Sequence, residues 1–382
     1  MTRPLLSLAL PLTLCLWLPA GGRADEPVRR YPEARHGQGE LRYVNGVPVL
    51  TAAGSPEEIG EQLGTLAVKP AQPLIDSFQG LLKSLGLAKS YPLLIKAGHF
   101  LLPQFPPDHR REIDAAAKAA GQDRDLLVFA NTLLDVKKIG GCSTLVAEPA
   151  RSATGKLLFG RNLDWPPFGP LAEFPLVVVF KPTGKHAFAS VTWPGLAGVV
   201  SGMNDAGLCL AVDEIYAAAD GSPAFDPLGV PATLAFRRVL EECTTVEEAE
   251  KLLRSLHRTI HVALTVCDPQ HGAVFEITSK SLAVRRPVDG INICTNHFRS
   301  KELGVFSPCR RYECLEKCCV QPKLGREDVV KKLHEANQGA NTLQTMVFEP
   351  ADRRLHLAYG PGPASALPLH ELELGPLLGT GR

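Results

Sequence analysis

The glycine-cysteine step at Gly141-Cys142, followed by Ser143 and Thr144, holds the side chain of this sequence best suited to covalent chemistry. A thiol at Cys142 can attack the carbonyl before it, and glycine leaves room for the approach. An N-to-S acyl shift followed by hydrolysis of the thioester would then free the α-amine of Cys142. A free α-amine titrates near pH ~8 and a free thiol near ~8.5. One residue would supply both nucleophile and base, with the amine accepting the thiol proton directly or through a water. The four-residue run alone is weak, because a cysteine often simply opens a buried strand. The stretch that follows strengthens it. Residues 157–160 form an apolar strand closing on Arg161-Asn162-Leu163-Asp164-Trp165. Arg161 and Asp164 are three apart at the expected strand end. A carboxylate there can hold the charged α-amine, and a guanidinium can lower the thiol pKa and pair with Asp164. An ordinary surface ion pair would look the same in isolation.

These residues fall where the texture of the chain changes. Before Gly140-Gly141 the sequence reads helical. Ser55-Pro56-Glu57-Glu58 is a capping box with Pro at the first helical position. Helical apolar spacing continues over 74–87, 91–102, 108–120 (stopping at Gly121) and 124–138. Ahead of them, 41–50 reads as a hairpin turning at Asn45-Gly46. After Gly141, short apolar strands alternate with turns at 144–147, 157–160, 176–180, 187–192, 198–202 and 208–212. Helices follow at 231–241 and 245–256, the second opened by a capping box, Thr245 to Glu248. Strands resume at 261–267, 274–278, 282–285 and 291–294. Helices near 310–318 and 327–336 and strands at 342–348 and 354–359 complete the pattern, with only the last residues unstructured. Antiparallel sheets with helices segregated outside them imply an α+β fold, a layered αββα sandwich.

The 382 residues are 45% hydrophobic and 21% charged, with 34 Gly, 32 Pro and a formal net charge of +1. That balance gives no long-range field for nucleic acid or an anionic membrane. The N-terminus reads as an export signal over 1–24: Arg3, an apolar run over 5–18, then Gly22-Arg23-Ala24 as a small-x-small cleavage site before Asp25. The run is short for a membrane span, and a lipid attached at Cys15 is disfavoured by Leu14 before it. The expected location is therefore secreted or periplasmic. Of ten cysteines, nine remain after Cys15 is removed, an odd count that suggests one free thiol. Cys309, Cys314, Cys318 and Cys319 cluster without a usual zinc spacing. Cys209, Cys267 and Cys294 sit in apolar runs and read as buried thiols. His257, His261, His271 and His297 raise a Cys–His protease, but nothing around Cys142 is papain-like. Trp165-Pro166-Pro167-Phe168 and Trp193-Pro194-Gly195 could each be an apolar acyl-binding wall or a rigid turn. No phosphate loop, metal set or cofactor motif occurs.

Cys142-Ser143-Thr144 and Gly160-Arg161-Asn162-Leu163-Asp164-Trp165 together resemble the choloylglycine hydrolase and acid ceramidase-like superfamily of N-terminal-nucleophile enzymes. The nearest branch is the acyl-coenzyme A:6-aminopenicillanate acyltransferase type. Further landmarks follow in order: 201–208 (SGMNDAGL), Thr295-Asn296-His297-Phe298, Ser307 to Arg311, 341–350 and 357–360. The likeness covers about 141–360, and the helical part before it matches in placement only. The resemblance implies an N-terminal-nucleophile hydrolase fold and self-cleavage between Gly141 and Cys142. It further implies a propeptide or α-chain over 25–141, and a catalytic β-chain over 142–382 folded as one unit with it. Carried over, Cys142 is the nucleophile, and Arg161 and Asp164 contact the nucleophile and its amine. Asn296 helps hold the oxyanion, and Arg310 supports the site with adjacent Arg311 as its rival. Where some relatives place an oxyanion-donating asparagine, this chain has Glu214. An ionised carboxylate cannot donate a hydrogen bond. Acid ceramidase-like members also carry a glutamate there, which is compatible with activity and argues against bile-salt specificity.

The expected protein is an exported cysteine amidohydrolase acting on small N-acyl amides through an acyl-enzyme, without a cofactor. Acyl transfer to an amine is the enzymatic alternative. A non-catalytic extracellular binding protein on the same scaffold is the alternative of another class.

Overall fold

The computed structural model describes residues 30–84, 91–136, 140–167 and 169–379. The expected export signal, its cleavage after Ala24, and Phe168 lie outside these residues. The chain opens with strands β1 (Ala34–His36), β2 (Gly39–Val44) and β3 (Val47–Gly54), then helices α1 (Pro56–Leu63), α2 (Gln72–Ser84), α3 (Tyr91–Lys96), α4 (Pro107–Ala120) and α5 (Arg124–Val136). Six strands follow: β4 (Gly141–Ala147), β5 (Leu158–Asp164), β6 (Leu176–Pro182), β7 (Phe188–Thr192), β8 (Ser201–Asn204) and β9 (Cys209–Glu214). Helices α6 (Ala232–Glu242) and α7 (Val246–Ser255) precede β10 (Val262–Cys267), β11 (Gly272–Ile277), β12 (Leu282–Arg285) and β13 (Ile291–Cys294). The last part holds α8 (Arg310–Glu316), α9 (Arg326–Glu335), β14 (Thr342–Glu349), β15 (Arg354–Tyr359), β16 (His370–Glu373) and α10 (Leu374–Leu378).

The strands form two sheets. One has ten strands in the order β1-β2-β3-β6-β7-β8-β9-β10-β11-β12, and the other six in the order β13-β4-β5-β14-β15-β16. They face each other, with β4 against β9, and the Thr144 and Thr265 hydroxyls meet between them at 2.7 Å. Helices α8 and α9 cover the outer face of the six-stranded sheet through Leu315, Val329 and Leu333, with Leu324 of the connection between them in the same cluster. Helices α1, α6 and α7 pack on the ten-stranded sheet. This is the α+β, layered αββα sandwich expected from the sequence. One pairing among the described strands departs from the antiparallel expectation: β3 runs parallel to β6. The long connection between them, helices α1 to α5 and then β4 and β5 of the other sheet, permits it, since a parallel pair needs a crossover rather than a tight turn. Residues 30–136 thereby place three strands in the same sheet as β6 to β12.

Local chemistry explains the elements. The β2–β3 hairpin turns at Asn45 (φ +48°) and Gly46 (φ +83°), the two left-handed positions a two-residue turn requires. Helix α1 starts at Ser55, whose side chain accepts the Glu58 N–H while Glu58 returns to the Ser55 N–H. At α7 the expected box is altered. Thr245 accepts the Glu248 N–H at 3.2 Å, but the Glu248 carboxylate reaches the N–H and hydroxyl of Thr244 instead. The expected helix 91–102 is shorter, α3 followed by short 3-10 turns, whereas the expected ends of 74–87 and 124–138 lie outside the described residues. The C-terminal residues read as unstructured form β16 and α10.

The strand bearing Arg161 and Asp164 is longer than expected. All of Leu158–Asp164 is strand and buried, so the two residues lie within the sheet rather than at a surface end. Its alternation is what points them apart. Phe159, Arg161 and Leu163 face the ten-stranded sheet, and Asn162 faces α9, donating to Leu333 O at 2.7 Å.

Candidate active site

Cys142 is the second residue of β4, next to edge strand β13 in the sheet order, and lies directly opposite Leu163 on β5. Its side chain points between the sheets and is only 5% exposed. Arg161 is the diagonal neighbour on the same face. Its Nη2 donates toward Cys142 Sγ at 3.3 Å, and its Nη1 donates to Val212 O at 2.8 Å, which fixes the guanidinium to the opposing sheet. Burial pushes the Cys142 thiol up to about 12 against the pull of Arg161, with Asp213 and Asp164 adding to the rise. In the intact chain the sulfur is therefore a neutral thiol.

The backbone of Cys142 is held as firmly as its sulfur. Its N–H donates to Asn296 Oδ1 at 2.9 Å, and its carbonyl accepts from Arg311 Nη1. Arg311 Nη2 donates to Asn296 Oδ1 at 2.6 Å, and Nη1 lies 3.6 Å from Asp164 Oδ2. The Asn296 amide group donates to Glu214 O at 2.8 Å. In this chain the carbonyl end of Asn296 faces Cys142, and its N–H₂ group is committed to β9. The expected oxyanion donor thus points elsewhere, because two donors, Cys142 N–H and Arg311, claim the oxygen. The Asp164 carboxylate accepts from Thr342 Oγ1 at 2.5 Å and Gln338 Nε2 at 2.9 Å. Burial raises its pKa, and those bonds with Arg311 and Arg161 restrain the rise.

The residues before Cys142 are clamped from both sides. Gly140 N–H donates to Glu214 Oε2 at 2.7 Å, and the Tyr216 hydroxyl donates to Gly140 O at 2.8 Å. A Cβ on Gly141 would lie 2.0 Å from Gln338 Nε2. Gly141, Asp164, Tyr216, Asn296, Arg311 and Gln338 line an open cleft of about 270 Å³. Pro166 also borders it, whereas Trp193 lines a separate apolar cavity against α4 and α5 and donates to Leu171 O at 3.0 Å. The first of the two aromatic segments is therefore the one at the cleft.

Five of the six expected catalytic residues, Cys142, Arg161, Asp164, Glu214 and Asn296, converge here. Arg310 does not: it is exposed at the start of α8, and Arg311 occupies the site. The helix explains the exchange. Leu315 and Cys318 face the sheet, and Arg311, four residues before Leu315, shares their face. Three further contributors were missed: Tyr216, Gln338 and Asp213. Asp213 is fully buried beside Arg161 and Cys142, and burial raises its carboxyl to about 7 against Arg161, Arg311 and the Cys294 thiol. The alternation of β9 was a usable signal for it, since a carboxylate inside an apolar strand seldom lacks a cationic neighbour. All nine described cysteines are free thiols, and Cys209, Cys267 and Cys294 are buried as expected. Among the described residues, no cluster of His, Cys, Asp and Glu could hold a metal ion, and no helix is long and apolar enough to cross a membrane.

Residues 151–310 match the family model described as acyl-coenzyme A:6-aminopenicillanic acid acyl-transferase. The 40 kDa form of acyl-coenzyme A:6-aminopenicillanic-acid-acyltransferase from Emericella nidulans is 26% identical over 211 residues, 53% of this chain and 56% of that one. An uncharacterized protein of Archaeoglobus fulgidus is 26% identical over 276 residues, 63% of this chain and 45% of that one. The chain spans about half the length of these curated relatives. Among solved structures, the Caenorhabditis elegans ortholog of N-acylethanolamine-hydrolyzing acid amidase matches with a TM-score of 0.44 at 19% identity, covering 55% of this chain and 93% of that one. The resemblance read from the motifs is thus carried by the family model and the fungal relative. The matched segment contains Arg161, Asp164, Glu214 and Asn296, and Cys142 stands just before it.

Proposed function

We propose that this chain is an exported cysteine amidohydrolase that cuts itself between Gly141 and Cys142 and then cleaves linear N-acyl amide bonds. The observation that carries the reading is the double hold on Cys142: Arg161 on its sulfur at 3.3 Å and Asn296 Oδ1 on its N–H at 2.9 Å. The thiol adds to the Gly141 carbonyl carbon, the C–N bond to Cys142 breaks, and the thiol proton passes to the departing nitrogen. Water then hydrolyses the thioester, leaving a carboxylate at Gly141 and restoring the thiol. A new α-ammonium beside the sulfur favours the thiolate, which the intact chain disfavours.

In turnover the neutral α-amine takes the thiol proton, and the sulfur attacks the substrate carbonyl. The amine product leaves with that proton, and water resolves the acyl-enzyme to a carboxylic acid. Asn296 Oδ1, which accepts the Cys142 N–H, would accept from the α-ammonium, with Asp164 supplying negative charge nearby, and Arg311 would fix Cys142 through its carbonyl. With the Asn296 N–H₂ group on Glu214 O, the oxyanion donor would be a backbone N–H or another side-chain donor of the cleft.

The test is hydrolysis of a panel of N-acyl amides by purified protein and by Cys142→Ala. Release of carboxylic acid and amine by the first alone supports the reading, and equal release by both contradicts it. Transfer to an amine is the second reading, favoured by the acyltransferase model over 151–310. It would appear as a new amide when an amine acceptor and a thioester donor are added. Outside the cell, where coenzyme A is scarce, water is the readier acceptor.

A further inference from the structure

The first acyl group that Cys142 meets is the chain's own, and the cleft is shaped around it. Cys142 is paired with Leu163 on β5, and Arg161 holds its sulfur at 3.3 Å, so the sulfur has little freedom to relocate between self-cleavage and turnover. Attack needs the carbonyl carbon roughly 3–3.5 Å from the nucleophile. A substrate carbonyl must therefore take the place that Gly141 leaves, and the substrate's acyl half must follow the path of Gly140-Gly141.

That path has three recognisable features. The Cα of Gly141 has no room for a side chain, because Gln338 Nε2 would sit 2.0 Å from a Cβ and is itself tied to Asp164 Oδ2 at 2.9 Å. The next carbonyl, Gly140 O, receives the Tyr216 hydroxyl at 2.8 Å. The next amide, Gly140 N–H, reaches Glu214 Oε2 at 2.7 Å. Tyr216 is 54% exposed at the rim, and burial followed by the Glu214 charge pushes its phenol up to about 12, so it remains a donor at any working pH. Around these groups the cleft lining is polar (Asp164, His297, Asn341) apart from Pro166, and the Trp165 ring lies 3.2 Å from where a Cβ on Gly140 would be.

We infer that the acyl half of the substrate is peptide-like: an unbranched methylene beside the reacting carbonyl, then an amide carbonyl for Tyr216 and an amide N–H for Glu214. N-acyl-glycylglycyl amides are the class that fits, and a plain alkyl acyl chain is not. The inference rests on the self-cleaving amidase reading above.

The experiment compares three substrates sharing one aminocoumarin leaving group: acetyl-Gly-Gly, acetyl-Gly-Ala and octanoyl, the last matching the first in chain length. Hydrogen-bonding sites reject analogues that lack the bonded group, so kcat/KM for acetyl-Gly-Gly should exceed that for octanoyl by roughly tenfold or more. Acetyl-Gly-Ala should fall by a similar factor. Tyr216→Phe should lower kcat/KM for acetyl-Gly-Gly by a larger factor than for octanoyl, erasing much of the difference between them. Octanoyl turned over as fast as acetyl-Gly-Gly overturns the inference. So does failure of correctly cut protein to hydrolyse acetyl-Gly-Gly while it hydrolyses other N-acyl amides, a result that leaves the amidase reading standing. A chain that remains uncut removes both.

Discussion

Arg161 Nη2 lies 3.3 Å from Cys142 Sγ, while Arg161 Nη1 is anchored 2.8 Å from Val212 O on the facing sheet. The guanidinium is buried, so its field acts on the sulfur with little screening from water. Arg161→Ala should raise the thiol pKa and reduce turnover by at least about 10²-fold. Arg161→Lys should recover part of the thiol reactivity, because it keeps the charge and loses the fork. Iodoacetamide reactivity against pH checks both variants.

Arg311 and Arg310 provide a one-residue contrast. Arg311 holds Cys142 O and Asn296 Oδ1, and Arg310 is exposed. Arg311→Ala should slow both self-cleavage and turnover by about 10²-fold or more. Arg310→Ala should change either by less than about twofold. Processing time courses on gels, followed by steady-state rates, read the difference directly.

Gly141 and Gln338 should be coupled. Gly141→Ala places a methyl against Gln338 Nε2 and should slow self-cleavage. The double variant Gly141→Ala, Gln338→Ala should recover part of the lost rate, since the obstructing amide is gone. A double variant slower than the product of the single effects would show that the obstruction lies elsewhere.

Asp213 gives the site a pH-dependent stability. Its carboxyl is raised by burial from 3.8 to about 7. Between those values the folded chain keeps a proton that the unfolded chain has lost, so stability falls as pH rises through the window. The slope is about 1.4 kcal/mol per pH unit for each such proton. Asp135, also buried and raised to about 7, acts in the same direction. Asp213→Asn should flatten the fall without abolishing it, as seen in urea midpoints from pH 4 to 8. It should also lower the thiol pKa, because the Asp213 charge raises it.

A buried ion cluster ties α4 to α6. Arg237 donates to both oxygens of Glu112 at 2.6 and 2.7 Å and to Glu241 at 2.8 Å, beneath the ring of Phe180. Burial pushes Glu241 up, but Arg237, then His109 and Lys185, hold its carboxyl well below the usual range. Arg237→Met removes the ion-pair partner of the buried Glu112 carboxylate and leaves Glu241 with His109 and Lys185, and should cost about 3–5 kcal/mol in chemical denaturation. In cut protein it should also promote separation of the fragment that ends at Gly141.

Sequence reasoning reached the sandwich because its evidence is local. The Asn45-Gly46 turn, the Ser55 cap and the short apolar runs of strands such as β6 and β7 are each readable within a few residues. It reached Cys142, Arg161, Asp164, Glu214 and Asn296 because a dense motif or an ordered set of motifs marks each one. Tyr216 and Gln338 escaped because nothing near them in sequence is unusual; only folding brings them to Gly140 and Gly141. The parallel β3–β6 pairing depends on a crossover longer than any local pattern. The mistaken preference for Arg310 came from an unresolved helical phase, which the apolar positions Leu315 and Cys318 would have set.

The account depends most directly on the covalent state of one nitrogen. Intact mass together with N-terminal sequencing of purified protein should find two polypeptides, the second beginning with Cys142, and one uncut polypeptide for Cys142→Ala. A fully folded wild-type chain whose Gly141–Cys142 bond is still intact would contradict the account, as would a cut in Cys142→Ala at the same bond.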